Sequence, residues 1–257
     1  MSIGAYNEGQ TKEGQIRISP SGVKNLIYNR PFWIKQHILG MREINNKESL
    51  DLGTAMHHLF ESYLLGKELS VSLPEAIEYL EMQGYSDTHE AHERLTKMFY
   101  MWKDNIHEFA EGEIKTEQWL EFEPNDKIKM SGTLDAMFGD TILDWKSSGT
   151  RKKSLNAYKH QLYLYAFIAR QQGMIVNNVG AVVIKTPAKR TKPKGDEIFG
   201  DSAIDIIIEK IDEEFMDKFI KDLKESIKDI QFVIENQTIL DWIKNTSIPD
   251  PYNRDFM

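Results

Sequence analysis

Residues 131–149 read SGTLDAMFGDTILDWKSSG, and this stretch decides the fold expected for the whole chain. Two runs rich in apolar residues flank Gly139-Asp140, a pair typical of a two-residue type II′ turn with glycine in its first position. A hairpin closed by that turn places Asp135 directly opposite Asp144, with their Cβ atoms about 4.5–5.5 Å apart on one face. A longer loop would shift this pairing.

The apolar residues of the two strands support the same register. They gather on the face opposite the two aspartates: Leu134, Ala136, Phe138, Leu143 and Trp145. A one-residue slip of either strand would scatter them over both faces. Lys146 follows Asp144 by two positions and therefore shares the face of the carboxylates.

Two directly opposed carboxylates repel each other unless a cation lies between them or one of them is protonated. A divalent ion such as Mg²⁺ or Mn²⁺ meets this need, because these ions prefer oxygen ligands and complete their shell with water and phosphate. Lys146 adds a positive donor that can hold an attacking water or stabilise developing charge. The alternative is a surface cluster in which Lys146 simply neutralises the aspartates. Glu121 and Glu123 are further candidates for the metal site, and an exposed strand face is the simpler interpretation of both.

The segments around the hairpin predict a central mixed β-sheet flanked by helices, an α/β fold. Strands are expected over 114–123, 128–138, 141–146, 179–184 and about 203–209. Helices are expected to begin at Pro20, capped by Ser19, and near Pro74, and to span about 52–65, 88–109, 155–172 and 212–235. Residues 1–15 are expected to form a flexible tail and residues 16–257 a single domain.

The composition narrows the possible chemistry. The chain contains 257 residues and no cysteine, which excludes disulfides, thiolate zinc sites, iron–sulfur clusters and a cysteine nucleophile. The N-terminal residues do not resemble a secretory signal, and no apolar run approaches the ~20 residues of a membrane span. A cytoplasmic location without a membrane partner is therefore expected.

Positive charge is concentrated in one part of an acidic chain. The formal net charge is −8, yet residues 151–194 contain ten Lys or Arg and no Asp or Glu, so the rest of the chain carries −18. Such a block predicts a surface that attracts nucleic-acid phosphates. The candidate nucleic-acid contacts are Ser147, Arg151, Lys152, Lys153, Lys185, Lys189, Arg190 and Lys192. The alternative is a chance gap in acidic residues on a solvated surface.

Asp135 and Asp144-Trp145-Lys146 resemble the signature of the PD-(D/E)XK nuclease superfamily. Three further segments resemble its branch containing the RecB nuclease domain and the phage-type exonuclease VIII (RecE), and they occur in that family's order. They are Ile18-Ser-Pro-Ser21 followed by Arg30-Pro-Phe-Trp33, Leu52-Gly-Thr-Ala-Met-His57, and Gln161-Leu-Tyr-Leu-Tyr165. The absence of cysteine excludes the relatives that bind an iron–sulfur cluster.

The resemblance implies a restriction-endonuclease-like core and a site assembled from these segments. It assigns His57 and Trp145 to the metal site beside the two aspartates, and it adds Gln161 and Tyr165 to the catalytic group with Lys146. From the residues alone, His57 reads as a structural histidine, Tyr165 as a core residue and Gln161 as a surface amide.

The activity implied by the resemblance is a DNA exonuclease that depends on Mg²⁺ or Mn²⁺ and acts in phage-type recombination or DNA repair. The implied partners are DNA, a single-strand annealing protein and further copies of the same chain. An endonuclease on the same core is one alternative, and a catalytically silent nucleic-acid-binding or assembly protein is another. The intact aspartates and lysine of the hairpin argue against the silent protein.

Overall fold

The centre of the fold is a six-stranded mixed sheet, seen in a computed structural model that describes residues 14–41, 47–106, 114–152, 154–191 and 197–248. Its strands are β1 (Ile16–Ile18), β2 (Ile114–Asn125), β3 (Ile128–Phe138), β4 (Thr141–Ser148), β5 (Asn178–Lys185) and β8 (Ala203–Lys210). A separate two-stranded sheet consists of β6 (Lys189–Thr191) and β7 (Glu197–Phe199). The predicted strands are confirmed, and the small sheet in the basic segment is an addition to them. Of the predicted tail, residues 1–13 lie outside the described ranges.

The β3–β4 hairpin has the predicted register. Three cross-strand pairs establish it: Phe138–Thr141, Met137–Ile142 and Ala136–Leu143. A type II′ turn requires a positive φ at its first central residue and not at its second. Gly139 has a φ of 57°, and Asp140 does not have a positive φ, so the turn meets this requirement. The pairing of the two strands ends at Ala136 and Leu143, so Asp135 and Asp144 lie just beyond it, where the strands separate.

Strand β3 has a gap in its pairing beside the two aspartates. β1 pairs in parallel with Ile128–Met130, and β4 pairs with Ala136–Phe138. Both strands lie on the same edge of β3, because β2 occupies the other edge. Within the described ranges, residues 131–135 therefore have no strand partner on that edge, and the sheet is open there between β1 and β4.

Strand β4 is held in the middle of the sheet on its other side. It runs parallel to β5, with Asp144 beside Ala181 and Lys146 beside Val183, and β8 pairs antiparallel with β5. A parallel pair requires a crossover connection, and α6 (Lys159–Gln171) lies in this one. The chain therefore returns over one face of the sheet directly after the segment that carries the aspartate and lysine.

Helices flank the sheet. Besides α6 they are a short 3-10 helix (Pro20–Gly22), α1 (Val23–Tyr28), α2 (Arg30–His37), α3 (Lys47–Leu64), α4 (Leu69–Met82), α5 (Thr88–Asn105), α7 (Glu213–Ile234) and α8 (Gln237–Asn245). The helix expected near Pro74 begins earlier, at Leu69, because burial of one face of α4 outweighs the hydrogen bond that an internal proline removes. Ser19 precedes the 3-10 helix without the predicted side-chain cap. None of the described helices is both long and apolar enough to cross a membrane.

Two hydrophobic clusters lie on the two faces of the sheet. One packs α1, α6 and α7 against the sheet, and the other packs α3, α4 and α5 against it. Ala136, Phe138, Leu143 and Trp145 belong to the α3 side, as their shared face predicts. Leu134 belongs to the α6 side, so the expectation for this residue was wrong. The alternation of β3 breaks between Leu134 and Ala136, opposite Glu117, which has a φ of 45°.

Candidate active site

Asp135 lies where β3 and β4 separate, and its carboxylate is divided between two neighbours. Its Oδ2 atom accepts a 2.7 Å hydrogen bond from the backbone N–H of Trp145. Its Oδ1 atom lies 3.1 Å from Nδ1 of His57, which α3 carries over this part of the sheet. The structure therefore brings together the predicted residues His57 and Asp135.

Glu117 joins these two residues, although the sequence did not single it out. One ligand atom from each of His57, Glu117 and Asp135 lies within 4.8 Å of the other two. Glu117 falls opposite Asp135 in the register of β2 and β3. Its positive φ is uncommon for a residue with a side chain, and such conformations cluster at functional sites.

The two glutamates that the sequence suggested for the metal site lie elsewhere on β2. Glu121 is exposed, accepts a 2.7 Å hydrogen bond from Nε1 of Trp119 and forms a 2.8 Å ion pair with Lys129. Glu123 is exposed as well. The signal that identifies Glu117 is the register of β2 against β3, which shifts near the turn that joins these strands.

Asp144 faces α6 from the middle of the sheet and is almost fully buried, with 2% of its surface exposed. Its Oδ1 atom accepts a 3.0 Å hydrogen bond from Nε2 of Gln161. Its Oδ2 atom lies 2.7 Å from Nζ of Lys146. That contact is a close ion pair, and Oδ2 is shielded from solvent.

The ionisation of Asp144 and Lys146 follows from this arrangement. Burial raises the pKa of Asp144 to about 6, and the nearby carboxylate of Asp135 acts in the same direction while Lys146 opposes it. Burial alone would lower the pKa of Lys146, but the carboxylates of Asp144 and Asp135 raise it overall. Lys146 is therefore a fixed cation at neutral pH.

His57 and Asp135 stabilise each other's charged form. Burial would lower the pKa of His57, but the carboxylate of Asp135 raises it overall. Burial would raise the pKa of Asp135, but His57, Lys146 and the N–H of Trp145 lower it overall. Asp135 is consequently ionised at neutral pH.

Tyr165 and Tyr158 border the same site. Tyr165 lies one turn after Gln161 on α6 and donates a 2.6 Å hydrogen bond to the carbonyl oxygen of Thr133, within the part of β3 that is open on one edge. Burial raises the pKa of Tyr165 well above its usual value, so the hydroxyl keeps its proton. The ring of Tyr158 lies 5.9 Å from Nζ of Lys146. Tyr165 thus holds the open edge of β3 close to Asp135.

Trp145 borders the site through its backbone. Its indole is buried on the opposite side of β4, with its ring centroid 5.7 Å from that of Trp102 and 6.2 Å from that of Phe60. The main chain of Trp145, and not its indole, therefore borders the candidate metal ligands. The N–H of this residue already fixes Asp135.

Acidic side chains neutralise some of the residues predicted to contact nucleic acid. Arg151 forms a 2.5 Å ion pair with Asp205 on β8. Lys189 forms ion pairs of 3.3 Å with Asp87 and 3.0 Å with Glu90, which attach the β6–β7 hairpin to α5. These contacts hold two loops in place and reduce the positive charge that the basic segment presents.

Other predicted contacts lie near the ends of β4 and β5. Ser147 faces α3, since a Cβ atom built on Gly53 would lie 3.3 Å from its Oγ. Lys185 ends β5, and the backbone N–H of Lys152 donates a 2.8 Å hydrogen bond to Asp205. The remaining predicted contacts lie outside the described part of the chain: Lys153, Lys192 and the side chain of Arg190.

The donor set suits a hard divalent cation. His57, Glu117 and Asp135 offer two carboxylate oxygens and an imidazole nitrogen within a small radius, and Asp144 adds a buried carboxylate that is balanced in the free protein by Lys146. Carboxylates with water and phosphate form the usual shell of Mg²⁺ and Mn²⁺ in proteins. Such an ion would offset the repulsion between Asp135 and Asp144.

Comparisons with solved structures give three neighbours of low sequence identity. The chain resembles the crystal structure of an alkaline exonuclease (LHK-Exo) from Laribacter hongkongensis with a TM-score of 0.46 and 12% identity, over 86% of this chain and 90% of that one. The structure of LHK-Exo in complex with dAMP gives a TM-score of 0.44 and 13% identity over the same shares. The crystal structure of SSO0001 gives a TM-score of 0.30 and 16% identity, over 79% of this chain and 84% of that one. No curated protein matches the sequence.

The family assignment rests on a stronger match. A family model described as the PD-(D/E)XK nuclease superfamily matches residues 17–239, which include both strand aspartates and the lysine. Since this match covers most of the 257 residues, the chain belongs to the PD-(D/E)XK nuclease superfamily.

Proposed function

We propose that this protein is a metal-dependent deoxyribonuclease that digests DNA from its ends. The observation that carries the proposal is the convergence of Asp135, Asp144 and Lys146 at the open edge of β3. His57 and Gln161 hold the two carboxylates from opposite faces of the sheet. Membership of a nuclease superfamily supports the same chemistry.

The cation would be held by Asp135, Asp144 and His57, with Glu117 as a further carboxylate and the main chain of Trp145 beside them. Mg²⁺ or Mn²⁺ bound there would supply a Lewis acid for phosphodiester hydrolysis and would make a water easier to ionise. Asp135 is already ionised in the free protein. Asp144 loses its proton around pH 6, so both carboxylates are ready to bind a cation at neutral pH.

Lys146 supplies the positive charge that the phosphate group needs. The carboxylates of Asp144 and Asp135 raise its pKa, so its Nζ atom stays protonated and can donate to a water or to a phosphate oxygen. Gln161 positions Asp144 through its 3.0 Å hydrogen bond. Tyr165 positions the open edge of β3 through Thr133.

Finer features belong to the same proposal. The sequence resemblance implies a phage-type recombination or DNA-repair setting, a single-strand annealing partner and assembly into a homo-oligomer. The sequence pattern itself favours a cytoplasmic location and one nuclease domain over residues 16–257. Ser147, Lys152 and Lys185 are the proposed DNA contacts beside the site. Arg151 and Lys189 contribute less to DNA binding, because acidic residues pair with both.

An endonuclease and a silent DNA-binding protein are the competing functions, and substrate topology separates all three. The test incubates end-labelled linear duplex and covalently closed circular duplex of the same sequence with the protein, in Mg²⁺ and in EDTA. We expect linear DNA to be degraded in Mg²⁺ and to stay intact in EDTA. We expect closed circular DNA to stay intact in both. Cleavage of circles would instead establish an endonuclease, and binding without cleavage of either substrate would establish the silent protein.

A further inference from the structure

Strands β1, β2 and β3 carry a polar face next to the site. Three of their residues point into the core beneath α6: Ile18, Leu120 and Met130. Successive residues of a strand point to opposite faces. Arg17, Trp119 and Ser131 therefore share the other face, which is the side of the sheet from which α3 presents His57.

Arg17 is held there by two contacts. Its guanidinium carbon lies 5.4 Å from the centroid of the Trp119 ring, and its Nε atom donates a 3.0 Å hydrogen bond to Oγ of Ser131. Ser131 is fully buried, which fixes the position of that acceptor. Among the described residues, nothing bonds to the two terminal nitrogens of Arg17, so a planar pair of donors is fixed in direction and available. Such a fork matches the oxygens of a phosphate group.

Trp119 is oriented as firmly as Arg17. Its Nε1 atom donates a 2.7 Å hydrogen bond to Glu121, and Glu121 forms a 2.8 Å ion pair with Lys129. The indole keeps part of its surface in solvent. An aromatic ring beside an available cation is the combination that binds a single strand of nucleic acid, through the bases and the phosphates respectively.

The pair lies in line with the candidate metal ligands. Trp119 follows Glu117 by two residues on β2, which corresponds to about 7 Å along a strand. Ser131 precedes Asp135 by four residues on β3, which corresponds to about 13 Å. A strand whose reacting phosphate lies at Asp135 would therefore reach Trp119 and then Arg17 with its neighbouring nucleotides.

We propose that Arg17 binds a backbone phosphate of the DNA strand under attack, while Trp119 contacts the base or sugar next to it. This proposal rests on the proposed function and adds a subsite that keeps the strand in register beyond the reacting bond. The attraction is independent of base sequence, since it involves phosphate and a ring face.

Binding measured without cleavage tests the phosphate contact. Arg17→Gln and the control Lys221→Gln are each combined with Lys146→Ala, and a fluorescein-labelled oligothymidylate is titrated at several salt concentrations. Lys221 lies exposed on α7, behind the opposite face of the sheet, and its substitution removes the same charge. Loss of one single-strand phosphate contact lowers the slope of log K against log salt by about 0.7. We expect this decrease and about tenfold weaker binding for Arg17→Gln alone.

Arg17→Lys is the control that distinguishes loss of the phosphate contact from a folding defect. It keeps the charge and loses the fork, so we expect a preserved salt slope with binding a few-fold weaker than that of the unsubstituted Arg17 protein. Equal slopes for Arg17→Gln and Lys221→Gln would overturn the proposal. Failure of the proposed nuclease function would show itself separately, as intact DNA with the wild-type protein, and would leave the slopes unaffected.

Tryptophan fluorescence tests the second contact. The chain has five tryptophans, of which Trp33, Trp102 and Trp145 are at most 1% exposed, while Trp242 is 60% exposed. In Trp242→Phe, Trp119 is therefore the ring that acrylamide reaches. We expect oligothymidylate to protect this fluorescence from acrylamide quenching in the Lys146→Ala background. Quenching that is identical with and without the oligonucleotide would overturn the role of Trp119.

Discussion

The side-chain amide of Gln161 donates a 3.0 Å hydrogen bond to Oδ1 of Asp144, and this bond sets the direction of a buried carboxylate. The second oxygen of Asp144 is left facing Lys146. Outer partners of this kind usually change metal affinity or activity by about 10–100-fold when they are removed. The role of α6 in the site is thus one of positioning.

Replacing Gln161 by alanine therefore weakens the apparent affinity for Mg²⁺ by about tenfold or more, because the Asp144 carboxylate loses its fixed direction. The measurement is the Mg²⁺ concentration that gives half-maximal cleavage of linear duplex DNA. Gln171→Ala, at an exposed position of the same helix, is the matched control and leaves that concentration unchanged. Equal Mg²⁺ requirements for the two variants would contradict the positioning role.

Glu117 offers a sharper test of the candidate metal ligands. Glu117→Gln removes one of three clustered ligand groups, so we expect Mn²⁺ affinity to fall by about tenfold or more. Glu123→Gln changes the same residue type on the same strand at an exposed position and leaves the affinity unchanged. Calorimetric titration of the metal alone, without DNA, provides the comparison. A Glu117→Gln protein that binds Mn²⁺ as the wild type does would remove Glu117 from the site.

Metal affinity decreases as the pH falls through about 6. Burial raises the pKa of Asp144 to about 6, and the raised pKa of His57 adds a second proton that competes with the metal. Both groups bind a cation in their deprotonated forms, so each proton taken up below its pKa costs up to tenfold in affinity per pH unit. Mn²⁺ titrations between pH 5 and 8 measure the effect. An affinity that stays constant down to pH 5 would show that neither group binds the metal.

Close packing between Gly132 and Pro20 predicts a specific stability effect. A Cβ atom on Gly132 would lie 2.7 Å from Cδ and 2.9 Å from Cγ of Pro20. Gly132→Ala therefore lowers the free energy of unfolding by about 1–3 kcal/mol, as overpacking usually does. Gly149→Ala is the control, because its Cβ would meet nothing within 4 Å. Urea unfolding compares them, and equal midpoints would contradict the close approach of the 3-10 helix to β3.

The hairpin was predictable because a two-residue turn fixes the register locally. Gly139 set the pairing up to Ala136, and hence the positions of Asp135 and Asp144 just beyond it. The break of alternation at Leu134 was not predictable in the same way. It depends on the conformation of Glu117, which belongs to a strand whose register against β3 shifts between Phe122 and Asn125.

The basic segment shows a different limit of the sequence. Charge along the chain does not reveal which acids lie opposite in space, and Arg170 pairs with Glu213 at 2.9 Å, from a distant helix. Lys189 is likewise met by acids of α5. Several basic residues of a block without acidic residues are therefore paired with acids from other parts of the fold. Arg17, the available arginine of the polar face, comes from outside the block.

The most direct test of the account is the rate at which linear duplex DNA is degraded, in saturating Mg²⁺, by the wild type, Lys146→Ala and Lys221→Gln. Lys146→Ala removes the ammonium group beside Asp144 and should lower that rate by about 100-fold or more, as the loss of a group that stabilises transition-state charge does. Lys221→Gln should degrade DNA at the wild-type rate, since its side chain is exposed on α7. Degradation by Lys146→Ala within twofold of the wild-type rate would contradict the central claim that phosphodiester hydrolysis takes place at Asp135, Asp144 and Lys146.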